Sequence, residues 1–259
     1  MREFVRLEVD DGVAVVRLDR PPANAIDLQV GRELGSAFGE ASERDDVGAV
    51  VVWGGPKLFA AGADIKAMAE LGSDEIQPVV AALGNALDVL EVMPKVSIAA
   101  INGFALGGGF ELALAADLRY LAEDGAVGQP EIRLGVIPGA GGTQRLTHLV
   151  GPGRARELMF TGRRVDADEA LRLGLVELLV RPEDLFSRAV EDARAFAHGP
   201  RGALAAAKDA IGTALTTPGS AGLARERELF RGLFGTSDQR EGMRAFLEKR
   251  DPRFGSQGT

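Results

Sequence analysis

The 259-residue chain contains no cysteine, only two histidines, one tryptophan and one tyrosine. The first absence excludes disulfides, thiol nucleophiles and thiolate metal sites. His148 and His198 stand fifty residues apart with no ligand-like spacing, which argues against a histidine-based metal centre. No apolar run reaches the roughly 18–20 residues of a membrane span, and the opening MREFVRLEVDDGVAVV moves straight into a strand pattern instead of a basic-then-apolar leader. A cytoplasmic location is therefore expected. Positive charge is also short, with a net charge of -8, so a long basic groove for nucleic acid is not expected. The deficit is uneven: residues 200–259 hold 10 Lys+Arg against 7 Asp+Glu, a mildly basic tail behind an acidic body. That tail suits a phosphorylated small molecule better than RNA.

What is present reads as a large alternating domain. FVRLEV and VAVVRL are strand-like runs flanking Asp10-Asp11-Gly12, a hairpin pattern. From Asp27 to about Ser42 the apolar spacing is helical, GAVVVW (48–53) is a continuous buried strand, and 74–92 is helical again. VSIAAI (96–101) and LRYLAE (118–123) are strands around a helix over 108–116, followed by helices at 141–150 and 153–160. Such alternation implies parallel β-α units. From Pro182 onward only helices are expected, over 182–198, 203–215, 221–234 and 237–249, the last opened by the capping-box pattern Thr236-Ser-Asp-Gln. Leu229, Phe230, Leu233 and Phe234 form an apolar stripe that folds onto the core or onto a neighbouring subunit. The closing GSQGT is expected to lack order.

Three segments could carry chemistry. In KLFAAGADIKAM, a small-residue turn precedes a helix start at Asp64, so N–H groups near Ala63 could bind an external oxygen, although taken alone the segment is better read as a plain Asp64 cap. In NGFALGGGFELALAAD, Gly107-Gly108-Gly109 opens a helix whose first turn holds Glu111. The spacing is neither a Walker loop nor G-x-G-x-x-G. A dipole-complementing surface acid is the bland alternative, but the flanking residues are nearly all apolar, and a buried acid needs a partner or a purpose. In VGQPEIRLGVIPGAGGTQR, Glu131 lies in an irregular segment where it could equally be an exposed loop acid or a partner of Arg133 or Arg145, and Pro138-Gly139-Ala140-Gly141-Gly142 is a tight turn. Together the segments offer two N–H donors for one oxyanion and two acids, twenty positions apart, for one pocket.

At these residues the sequence resembles the enoyl-CoA hydratase/isomerase, or crotonase, family. FAAGADIKAM, INGFALGGGFELALAADLRY, VGQPEIRLGVIPGAGGTQRL, FTGRRVDADEALRLGLV and ERELFRGLFGTSDQREGMRAFLEKRDPRF follow the family pattern in order over nearly the whole chain. The resemblance implies an α/β spiral of repeated ββα units in residues 1–198 and a helical region in 199–259 that assembles subunits as trimers or dimers of trimers. It implies an oxyanion hole from the backbone N–H groups of Ala63 and Gly108, and catalytic glutamates at Glu111 and Glu131. The implied reaction is reversible syn addition of water to a trans-2-enoyl-CoA, with no cofactor beyond the coenzyme A carried by the substrate. The main chain of Ala63, Asp64, Ile65 and Lys66 would line the thioester and pantetheine end, together with Ala61, Pro138 and Gly139. Lys57 and Lys66 would face the CoA phosphates, and Phe230 and Lys249 would approach the adenine from a neighbouring subunit. An enoyl-CoA isomerase is the nearest alternative, since Glu131 alone could shuttle a proton, and an RNA-binding relative is a more distant one. The segment Asp19-Arg-Pro-Pro-Ala-Asn-Ala-Ile-Asp departs from the N-R-P…N-A-L pattern of many simple hydratases and leaves the acyl preference open.

Overall fold

In a computed structural model, residues 2–217 and 219–255 are described; residues 256–259 of the closing GSQGT lie outside them. The hairpin forms as the turn residues require. Strands β1 (Val5–Asp10) and β2 (Val13–Leu18) pair antiparallel around Asp11 and Gly12, which take φ of 47° and 78°. Helix α1 (Leu28–Glu43) starts at Asp27, whose carboxylate accepts the Val30 N–H at 2.9 Å. Strand β3 (Ala49–Trp53), the short helix α2 (Ile65–Met68), helix α3 (Ser73–Val92) and strand β4 (Val96–Ile101) follow.

From here three short strands appear that the sequence pattern does not reveal. Strands β5 (Phe104–Leu106), β7 (Ala126–Gly128) and β8 (Val165–Asp166) have only two or three residues, too few to show a period. They alternate with helix α4 (Gly108–Ala115), strand β6 (Leu118–Ala122) and helix α5 (Gly142–Thr161). The backbone of α5 breaks at Gly151, with φ of 77° ahead of Pro152, where the sequence divides two helices. Helix α6 (Ala167–Leu173) and strand β9 (Leu178–Val180) complete the α/β part, and helices α7 (Leu185–Ala197), α8 (Arg201–Thr216), α9 (Gly219–Leu233) and α10 (Ser237–Glu248) end the chain.

The large sheet runs β1-β2-β3-β4-β6-β9, parallel beyond the first hairpin, and the small sheet runs β5-β7-β8. A bridge from Ala60 to Ala105 extends the small sheet toward the β3–α2 segment. Chain direction thus cycles through large sheet, small sheet and helix, which makes the alternation a spiral. Both faces of the central strands β3 and β4 are buried, which explains their continuous apolar runs. Val50, Val52, Ala99 and Ile101 face α1, α3 and α4, whereas Ala49, Val51, Ile98 and Ala100 face Leu185, Ala189 and Ala193 of α7.

Helices α8 and α9 bury no residue fully. One anchor reaches inward from α8: the Lys208 ammonium donates to the Leu90 and Lys95 carbonyls and to Asp117 (3.3, 3.1 and 2.8 Å). No helix among the described residues is long and apolar enough to cross a membrane.

Candidate active site

The β3–α2 segment is held by a two-residue parallel bridge. Ile26 donates to the Gly62 carbonyl at 2.8 Å and accepts from the Asp64 N–H at 2.9 Å. The amide between them, on Ala63, meets no acceptor among the described residues. Glycine is required before it, because Gly62 has φ of 103° and a Cβ there would stand 2.7 Å from the Leu106 carbonyl oxygen. Asp64 does cap α2, accepting the Ala67 N–H at 3.2 Å, and it also pairs with Arg20 at 3.0 Å. Cap and free amide coexist.

Helix α4 supplies the second amide. Gly107 has φ of 53° and its carbonyl accepts the N–H groups of Phe110 and Glu111, while the Gly108 N–H, first in the helix, meets no acceptor among the described residues. A Cβ on Gly108 would lie 3.3 Å from Leu83 Cδ2, 3.8 Å from Ala63 N and 3.9 Å from Glu111 Oε2. The two unsatisfied amides and one acid therefore surround the same small space.

Glu111 is 3% exposed. Its Oε1 accepts the N–H groups of Ala140 (2.7 Å) and Gly142 (2.8 Å), so the Pro138–Gly142 turn is a clamp for this acid and more than a tight connection. Burial pushes the Glu111 carboxyl above its ordinary 4.5, opposed by those two N–H groups and by the charge of Arg145.

Glu131 opens a single 3-10 turn over Glu131–Leu134 and is partly buried. Its carboxylate makes no ion pair among the described residues: Arg145 turns instead to Asp88 (2.9 Å) and Glu91 (2.6 Å). Burial, reinforced by the nearby charge of Glu111, pushes Glu131 up to about 7, against a smaller opposing pull from its own backbone N–H. The buried Gln129 amide, oriented so that both its ends are satisfied, donates to both Glu131 oxygens (2.8 and 3.1 Å).

Both acids line a cavity of about 590 Å³ and are the only ionisable side chains of its lining among the described residues. Ile76, Val79, Val80 and Leu83 of α3 form one wall, and Leu134, Val136 and Ile137 form an exposed apolar rim. Ala61, Ala63, Ile65, Gly108 and Gly139 share this lining. Pro138 is buried behind it, with Cβ 2.9 Å from where a Gly142 Cβ would stand. Lys57 and Lys66 are exposed outside the lining, without an ion-pair partner among the described residues. Phe230 lies against Phe234 with ring centroids 5.1 Å apart, and Lys249 ends α10 with φ of 55°; neither touches the cavity. The α3 wall, the clamp at Ala140 and Gly142 and the Gln129 contact escaped the sequence reading. The repeat of apolar residues at 76, 79, 80 and 83 was a visible signal for the first.

The enoyl-CoA hydratase/isomerase family pattern matches residues 8–257. The chain belongs to this family. It is 43% identical to a probable enoyl-CoA hydratase of Mycobacterium bovis over 253 residues, covering 97% of this chain and 98% of that protein. Against a short-chain-enoyl-CoA hydratase of Clostridium acetobutylicum it is 43% identical over 249 residues, covering 95% of each. A solved structure of an enoyl-CoA hydratase from Bacillus anthracis superposes with a TM-score of 0.92 at 39% identity, covering 96% of this chain and 98% of that one. The α/β crotonase fold expected from the motifs is the fold adopted.

Proposed function

We propose that this enzyme is an enoyl-CoA hydratase that adds water reversibly and syn across a trans-2-enoyl-CoA, giving a 3-hydroxyacyl-CoA. The observation that carries this reading is the pairing of two carboxyl groups, differently held, beside two unsatisfied amides in one apolar cavity. The Ala63 and Gly108 N–H groups bind the thioester oxygen and stabilise the enolate that forms as water attacks the β carbon. Glu111, fixed by two N–H groups on one oxygen, keeps the other for the attacking water and accepts its proton. Glu131, raised to about 7, is partly protonated at neutral pH and in that form delivers a proton to the α carbon. Two acids on one side of the alkene give syn addition. Reversal exchanges their roles, as a reversible hydration requires.

The chemistry needs only N–H donors and carboxyl groups, so coenzyme A enters as part of the substrate and no separate cofactor is invoked. Lys57 and Lys66 are the cations closest in sequence to the oxyanion segment and serve the CoA phosphates. The apolar surface left open on the helical tail, including Ile211, Phe230, Phe246 and Leu247 at 67%, 64%, 83% and 81% exposure, supports assembly into trimers or dimers of trimers. There Phe230 and Lys249 approach a neighbour's adenine. A cytoplasmic location and a body acidic enough to reject RNA complete the reading. Steady-state assays of purified protein on crotonyl-CoA and on a 3-enoyl-CoA test it. Hydration of the first is expected; isomerisation of the second without hydration of the first assigns the site to an isomerase instead.

A further inference from the structure

We infer that Arg145 is a positioning residue for Glu111, tying the turn that holds this acid to helix α3. The Arg145 side chain is only 10% exposed, although both of its carboxylate partners lie near solvent, Asp88 at 70% and Glu91 at 46%. Surface pairs of that kind contribute little by themselves. The contact that faces inward explains the burial: Arg145 Nη1 donates to the Ala140 carbonyl at 2.8 Å. Residue 140 is thereby gripped from both ends, its N–H by Glu111 Oε1 and its carbonyl by Arg145. Two residues on, the Gly142 N–H completes the hold on Glu111.

The turn is shaped around the guanidinium. Gly141 takes φ of 102°, and a Cβ there would stand 2.2 Å from Arg145 Nη1. Nε and Nη2 both reach Glu91 (3.0 and 2.6 Å), and Nη2 also reaches Asp88 (2.9 Å). The same helix presents Val80 and Leu83 to the cavity, so α3, the turn and the acid form one connected frame. A planar fork is needed for this two-sided bridge, which a lysine cannot reproduce. The positive charge also favours the ionised form of Glu111, the form able to accept a proton from water.

This inference rests on the hydratase reading. The test compares wild type with Arg145→Met, which keeps a long apolar stem without charge or donors, on crotonyl-CoA across a pH series. The expected result is a loss of about 10- to 100-fold in kcat, the scale of a small misplacement of a reacting group, with KM little changed. The acid limb of the kcat profile is expected to move to higher pH, and Arg145→Lys to restore that limb without restoring full kcat. Wild-type kcat and an unmoved limb in Arg145→Met overturn the role of Arg145 while leaving the hydratase reading intact; a wild-type protein that does not hydrate crotonyl-CoA overturns the hydratase reading itself. Should Arg145→Met not fold, the surface double variant Asp88→Asn/Glu91→Gln decides. Lower kcat at unchanged KM supports the frame through α3, and wild-type kcat refutes it.

Discussion

Replacing Glu131 by Gln is expected to stabilise the protein at alkaline pH while disabling it. In the folded chain this carboxyl is held at about 7, against an ordinary 4.5, chiefly by burial and then by Glu111. The folded state therefore binds a proton more tightly than the unfolded state between those limits. The stability contributed by that proton is complete below about 4.5 and is lost as pH rises through about 7. For a fully buried group a displacement of this size corresponds to roughly 3 kcal/mol, and partial exposure of Glu131 screens it to about 1–2 kcal/mol. Glutamine keeps the shape and never ionises. Urea unfolding at pH 8 should then show Glu131→Gln more stable than wild type by about 1–2 kcal/mol, with the gap closing toward pH 4.5. Hydration by the same variant should fall by about 10²–10⁴. Equal stability at pH 8, or a gap that widens as pH falls, would refute the assignment of Glu131 as an acid whose ionised form costs the fold stability.

Other perturbations separate the parts of the site. Glu111→Gln should retain the fold and product affinity yet lose about 10²–10⁴ in kcat; an unchanged rate would return Glu111 to a helix-cap role. Gly142→Ala places a methyl 2.7 Å from the Gln129 side-chain amide, 2.9 Å from Pro138 Cβ and 3.0 Å from Glu111 Cγ. It should cost about 1–3 kcal/mol and about 100-fold in kcat, and near-wild-type kinetics would show that the clamp tolerates displacement. Lys57→Ala and Lys66→Ala should each raise KM for CoA thioesters about 2–5-fold at low salt without lowering kcat, the effect shrinking as salt is added. A salt-independent KM would place the CoA phosphates elsewhere.

Much of the fold was legible because its long elements have the period that burial on one or two faces imposes. The helix expected from Asp27, the β3 run AVVVW, α3 and the four final helices all stand close to their expected bounds. The second sheet was not legible from periodicity, since its strands span three, three and two residues and depend on pairing with distant partners. Only the family resemblance supplied the spiral. The site divides in the same way. Glycines at 62 and 107 marked the two turns correctly, because a left-handed backbone and close approach leave few other choices. The fate of Glu111 was hidden, because its two donors lie some thirty residues farther along the chain and exist only once α5 docks against α4. Arg145, which the sequence offers as a partner for Glu131, bridges α3 and the turn instead.

In the proposed reaction two carboxyl groups on one side of the bound alkene handle the water and the α-carbon proton. Running the reaction with crotonyl-CoA in D2O and reading the product by proton NMR tests it directly. The expected product is 3-hydroxybutyryl-CoA carrying deuterium at C2 in a single configuration, the one produced by syn addition, with formation largely abolished in Glu111→Gln and Glu131→Gln. A mixture of C2 configurations, or undiminished turnover in either variant, would contradict it.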